Sequence, residues 1–210
     1  DPADWKFHLD LWQNPFAVAR INNVKLWSDE HFELMKPLYK MLADAGQKCL
    51  TTSILYKPWG GQTYDHFESM VNHTLKTDGS WEFDYTIFDK WVTFMMDLGI
   101  NKQINCYTLI PWGNQLSYYD EKMDRDTFVT AVASSKEYAE YWIPFLKSFK
   151  IHLEEKGWYE ITTIAMDERP MKDMLSALSL IEKYTGLKVT SAANYNPGMS
   201  GQIYDLSVES

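Results

Sequence analysis

A parallel α/β fold, specifically a (β/α)8 barrel left incomplete at the C-terminus, is what this sequence predicts. Three observations lead there. Strand-like runs alternate with helical ones along the chain, the order that builds parallel sheets. Connections after strands are long and carry aromatics and acids, whereas those after helices are short and bear glycine. That asymmetry is expected when the C-terminal strand ends build a site. Finally, six or seven strands can be read where a complete barrel needs eight in about 250 residues. The 210 residues are therefore expected to form one domain, 1–210, belonging to a longer chain.

The elements follow in order. Residues 5–12 (WKFHLDLW) alternate with period two and predict a strand. Residues 28–47 predict a helix with Ser28 as N-cap, Asp29 and Glu30 in its first turn, Pro37 inside it and Gly46 at its end. A strand is expected over 49–59 and a shorter one over 69–76, followed by a turn at Asp78-Gly79. Residues 86–100 predict a helix ending at Gly99, and 102–112 a strand. Residues 113–128 are expected to be a long loop, and its acidic part, 118–126, a solvated one, since its spacing fails the calcium-loop pattern. A long amphipathic helix is expected over 134–157. Then come a strand over 160–168, a helix over 170–186 with Pro170 near its first position, a strand over 187–195, and the start of another within 202–210.

Composition narrows the function classes. The formal net charge is −9, and no Lys/Arg cluster longer than two occurs, so nothing resembles a nucleic-acid-binding face. No apolar run approaches the ~20 residues of a membrane span, and none reads as a signal peptide. Neither nucleotide-binding glycine fingerprint occurs, and no His/Cys constellation suggests zinc, so no cofactor or metal is expected. Cys49 and Cys106 are expected as buried thiols inside strands.

The chemistry-bearing residues gather at predicted strand ends. Asp10 and Trp12 close the first strand, Trp59 the second, Trp112 the strand over 102–112, and Asn194 and Tyr195 the strand over 187–195. The segment ITTIAMDERP (161–170) ends an apolar strand in Asp167, Glu168 and Arg169. Aromatic rings stack on the C–H faces of sugars, and amides and carboxylates bind hydroxyls. Burying two adjacent carboxylates is costly, and their repulsion should raise the pKa of at least one, as a general acid requires. The competing structural account has one acid capping the following helix and the other bridging to Arg169. His73 and Trp112 are further candidates to line the sugar pocket, and His8 is expected to be a packing residue inside the barrel.

Adjacent acids suit substrate-assisted glycoside cleavage, which needs no protein nucleophile. The motifs AMDERP, WEFDYTIFDKWVTFMMDLGI and HLDLWQNP together resemble the catalytic domain of glycoside hydrolase family 123. That resemblance implies a bacterial β-N-acetylgalactosaminidase acting through an oxazoline. Asp167 would orient the 2-acetamido group, and Glu168 would serve as general acid and then base. It further implies a glycan or glycolipid bearing terminal N-acetylgalactosamine as partner, and a secreted, periplasmic or cell-surface location. Two alternatives stay open. One is a conventional two-carboxylate glycosidase pairing Glu168 with an acid such as Asp10. The other is a catalytically silent carbohydrate-binding domain.

Overall fold

The computed structural model describes residues 4–193, 197–199 and 201–207. Five parallel strands form the main sheet: β1 (Cys49–Ser53), β4 (Gln103–Tyr107), β7 (Thr162–Asp167), β8 (Lys188–Ala192) and β9 (Asp205–Ser207). They lie side by side in the order β1-β4-β7-β8-β9, every neighbouring pair parallel. The order follows the sequence without reversal, unlike a doubly wound sheet.

Register sorts the side chains of this sheet into two faces. One face carries Leu50, Ile104, Cys106, Ile164, Met166 and Val189, all buried in the apolar core. The other carries Thr51, Gln103, Asn105, Tyr107, Thr163, Thr190 and Asp205, with Asp167 at its C-terminal edge. One apolar face against helices and one polar face is the division that puts a site on the polar side.

The helices appear where capping chemistry allows them. α1 (Pro15–Asn22) was not foreseen, although Asn14 accepts a hydrogen bond from the Ala17 amide at 3.0 Å and Pro15 occupies the first turn, the standard N-terminal signature. α2 (Asp29–Asp44) is capped by Ser28, and Pro37 sits inside it, both as expected. α3 (Thr86–Asp97) and α5 (Met171–Tyr184) match their predicted spans closely. α4 (Lys136–Lys156) starts at the Ser135 cap and stops at Gly157, whose φ of 72° lies in the left-handed region that glycine tolerates.

Two expectations fail. Residues 5–12 form no strand; Leu9 makes a single parallel bridge with Gln47. Glutamine side chains take the place of the ladder. The Gln13 amide oxygen accepts from the Thr51 amide at 2.7 Å, and the Gln47 side chain both accepts from the Leu11 amide and donates to the Leu11 carbonyl, each at 3.0 Å. Once those backbone groups are satisfied, no strand is needed along this edge of β1.

The second failure is the loop over 113–128. It is a hairpin, β5 (Gln115–Asp120) and β6 (Arg125–Thr130), which pairs with a second hairpin, β2 (Asn72–Leu75) and β3 (Trp81–Asp84). The two hairpins make a four-stranded sheet in the order β3-β2-β5-β6. They occupy the connections after β1 and β4, so the long post-strand segments anticipated from sequence are real, but they are sheet rather than loop. The acidic residues misled: Asp120 closes β5 and Asp124 lies in the turn that follows, where the Asp120 carboxylate accepts from the Met123 amide at 2.9 Å. The Tyr, Thr, Phe and Val content of the flanks was the strand signal. Both cysteines are buried free thiols, as expected, and among the described residues no helix is long and apolar enough to cross a membrane.

Candidate active site

Asp167 is the last residue of β7, and both of its oxygens are engaged. Oδ2 accepts from the Trp112 indole Nε1 at 2.5 Å, and Oδ1 accepts from the Glu168 backbone amide at 2.8 Å. Glu168 follows with its side chain exposed. The Arg169 guanidinium lies over the Trp112 ring, 4.4 Å from its centre. The structural account of the acid pair is therefore not what folds: α5 begins at Met171, with Pro170 as N-cap and no side-chain cap, and Arg169 stacks on the indole. The expected burial of both carboxylates is also corrected, since Asp167 is half-buried and Glu168 faces solvent.

Trp112 is held from behind. Its amide donates to the Pro58 carbonyl at 3.0 Å. Gly60, at φ +61°, comes so close that a Cβ there would stand 3.2 Å from the Trp112 Cβ. Only a glycine combines that backbone conformation with that approach. The loop after β1 thus positions the indole that positions the acid.

The other aromatics form a cluster beside this pair. Trp12, Trp59 and Tyr107 have ring centres 4.9–5.2 Å apart. Trp59 is 4% exposed, covered also by Phe67, whereas Trp12 is 43% exposed. Of the predicted stacking tryptophans, Trp12 is exposed and packed on Trp59, while Trp112 is half-buried with one face under Arg169. The Tyr107 hydroxyl is buried without a partner among the described residues. Burial, and then the Asp10 and Asp167 carboxylates, push its phenol well above the ordinary range.

Beneath the rim, the polar face is wired together. Asn105 Nδ2 donates to Asp10 at 3.0 Å, while Asn105 Oδ1 accepts from Gln103 Nε2 at 2.9 Å and from Thr163 Oγ1 at 2.8 Å. Gln103 also donates to Asp205 at 3.0 Å. Asp10 is therefore tied into the sheet. Burial above all pushes its carboxyl up to about 6, with the Asp205 charge adding to the rise, while His8 and the Asn105 bond oppose it. No sequence pattern flagged Gln103, Asn105 or Thr163; only their period-two spacing on adjacent strands could have.

His73 lies in β2, with its ring packed against α4. It is 4% exposed, its ring stacked between Tyr141 and Phe145 of α4, and its Nε2 lies 3.0 Å from the Ile54 carbonyl oxygen. Burial pulls its imidazolium pKa down to about 4. Asn194 and Tyr195 lie outside the described residues. His8, expected inside the barrel, is half-exposed. Its Nε2 stands 3.1 Å from both Cys49 Sγ and Asp205 Oδ2, a three-donor group that sequence separation hid. Burial and the neighbouring carboxylates of Asp10 and Asp205 push the Cys49 thiol far up, so a neutral thiol beside a His–Asp pair accounts for the contact. Cys49 opens β1 and Asp205 opens β9.

Residues 12–210 match the family described as glycoside hydrolase 123, catalytic domain. Among solved structures, the fold is similar to that of a family 123 glycoside hydrolase from Clostridium perfringens, studied for glycolipid glycan hydrolysis, with a TM-score of 0.92 and 33% identity over 99% of this chain. The chain spans 39% of that protein's length. No curated protein sequence matches.

Proposed function

The chain belongs to glycoside hydrolase family 123, and on that premise we propose that it carries the catalytic centre of a retaining hydrolase that removes terminal β-linked N-acetylgalactosamine. The observation that carries the reading is the contrast within the acid pair: Asp167 is clamped by Trp112 and the Glu168 amide, while the Glu168 side chain stands exposed beside it. A fixed carboxylate suits orientation and charge stabilisation; a solvent-facing one suits proton transfer.

The steps follow. The substrate's acetamide oxygen attacks the anomeric carbon, and the bond to the leaving oxygen breaks as Glu168 delivers its proton there. Asp167 orients the acetamide and balances the positive charge of the oxazolinium. Water then attacks the same carbon, giving its proton to Glu168, and the ring reopens with the original configuration retained. The bound Asp167 oxygens keep unused lone pairs for the acetamide N–H. Asp10, the partner acid of a two-carboxylate mechanism, is instead tied to Asn105. The sequential parallel sheet supports reading the fold as an arc of a (β/α)8 barrel, whose active centres lie at strand C-termini. A glycan or glycolipid substrate supports a secreted, periplasmic or cell-surface location in a bacterium.

The test uses an aryl N-acetyl-β-galactosaminide, its gluco epimer and the 2-hydroxy analogue, on the wild type, Asp167→Asn and Glu168→Gln. Wild-type turnover restricted to the acetamido sugars is expected, with kcat lowered roughly 10²–10⁴-fold in each variant. Equal turnover of the 2-hydroxy analogue would replace this mechanism with a two-carboxylate one. Binding without turnover would leave a silent carbohydrate-binding domain.

A further inference from the structure

We infer that His8, Cys49 and Asp205 form a structural site for a zinc ion, which clips together the two edges of the main sheet. These residues take no part in the cleavage steps proposed above, so the site stands or falls independently of them.

The three donors come from distant parts of the chain. His8 lies in the segment that runs beside β1, Cys49 is the first residue of β1, and Asp205 is the first residue of β9. β1 and β9 are the outermost strands in the order of the main sheet. Strands repeat at about 4.8 Å, so a flat sheet would hold these two about 19 Å apart. Instead, one donor atom from each of the three residues lies within 4.8 Å of the other two. The polar face of the sheet is concave, and its edges approach one another at this trio. Gln103 of β4 also reaches Asp205 across that face, donating to Oδ2 at 3.0 Å.

The geometry differs from a catalytic relay. A nucleophilic Cys–His–Asp arrangement uses both imidazole nitrogens, one toward the sulfur and the other toward the carboxylate. Here Cys49 Sγ and Asp205 Oδ2 both stand 3.1 Å from the same atom, His8 Nε2. A single Nε2 proton cannot point well at both, whereas three donors gathered around one point are what a metal ion requires. Tetrahedral zinc with N, O and S ligands at about 2.0–2.3 Å needs donor separations of about 3.3–3.6 Å. The contacts found are within about half an ångström of that range, and the half-exposed His8 side chain has room to yield.

The donor set chooses the ion. Thiolate, imidazole and carboxylate together suit zinc, whereas calcium and magnesium favour oxygen ligands alone. One thiolate and one carboxylate neutralise the charge of Zn²⁺. On binding, a Zn–S bond replaces the S–H bond of Cys49, and the proton leaves to solvent; the metal-free protein keeps its neutral thiol. The Gln103 contact orients the Asp205 carboxylate, as outer hydrogen bonds do for metal ligands, and leaves Oδ2 a second lone pair for the ion. Asp10 is close enough to feel the charges of both His8 and Asp205. Its Oδ2 accepts from Asn105, while its Oδ1 is buried with no partner among the described residues. That oxygen suits a water molecule in the fourth position on the ion.

The test uses the full-length protein, stripped with a chelator and titrated separately with Zn²⁺ and with Co²⁺ as a spectroscopic probe. A single equivalent of zinc is expected to bind, releasing about one proton and raising the urea midpoint. Cobalt should give a sulfur-to-metal charge-transfer band. Cys49→Ser should abolish that band, and Cys106→Ser, which alters the thiol on the apolar face, should keep it. His8→Gln and Asp205→Asn should each weaken zinc at least ~10-fold. His8→Gln changes a half-exposed side chain, so it decides the question even if Cys49→Ser does not fold. No zinc binding by the wild type, a band that survives Cys49→Ser, or an unchanged affinity in His8→Gln would overturn the site.

Discussion

Trp112 does two jobs at once: its face supports Arg169, and its Nε1 fixes Asp167. Trp112→Phe separates them by keeping a ring and deleting the donor. Losing a hydrogen bond to a charged group costs about 1.5–3 kcal/mol, so kcat should fall roughly 10- to 100-fold. Steady-state kinetics on the aryl glycoside checks this, and an unchanged kcat would show that Asp167 needs no clamp. Gly60 acts one contact further out. Gly60→Ala forces an L-residue into the left-handed region at about 1–2 kcal/mol and presses on the Trp112 Cβ. A lower urea midpoint together with reduced turnover is the expected result.

At the scale of elements, the segment before α1 is held to β1 by two glutamines rather than by a ladder. Gln13→Ala leaves the buried Thr51 amide without its acceptor, at a cost of about 1–3 kcal/mol. Hydrogen exchange should show the Thr51 amide losing protection, while the Thr51–Asn105 side of β1, paired with β4, keeps its own. The element-level misreadings share one cause. Period-two alternation in 5–12 is a genuine strand signal, but a strand also needs a partner with free backbone groups, and side-chain amides had taken them. In 113–128 the acids of one tight turn outweighed the flanking Tyr-Tyr and Phe-Val pattern. Both are cases where long-range pairing decides what local pattern leaves open.

At the scale of the whole molecule, two buried groups pull stability in opposite directions with pH. Asp10 is raised from 3.8 to about 6, so between those values the folded state binds the extra proton and stability falls as pH rises. His73 is lowered from 6.5 to about 4, so there the unfolded state binds the extra proton and stability rises with pH. Each contribution is on the order of 3 kcal/mol, and over pH 4–6 they nearly cancel. Asp10→Asn should therefore give a stability that climbs with pH across this window, and His73→Phe one that declines. Urea denaturation of both at pH 4 and pH 6.5 measures the slopes; parallel slopes would mean that neither group titrates as its surroundings imply.

Sequence alone determined the parallel α/β grammar, the spans of α2 to α5, the buried thiols, and the placement of Asp167 and Glu168 at a strand end, because periodicity, caps and strand termini are local signals. Only the tertiary structure decided that Trp112 clamps Asp167, that His73 packs behind a sheet, that Asp10 is wired to Asn105, and that two distant hairpins join into one sheet beside the acids. Each of these depends on which residues the chain brings together across many positions. Contacts of that kind form when strands pair and faces are buried, and a pattern read along one strand does not contain its partner.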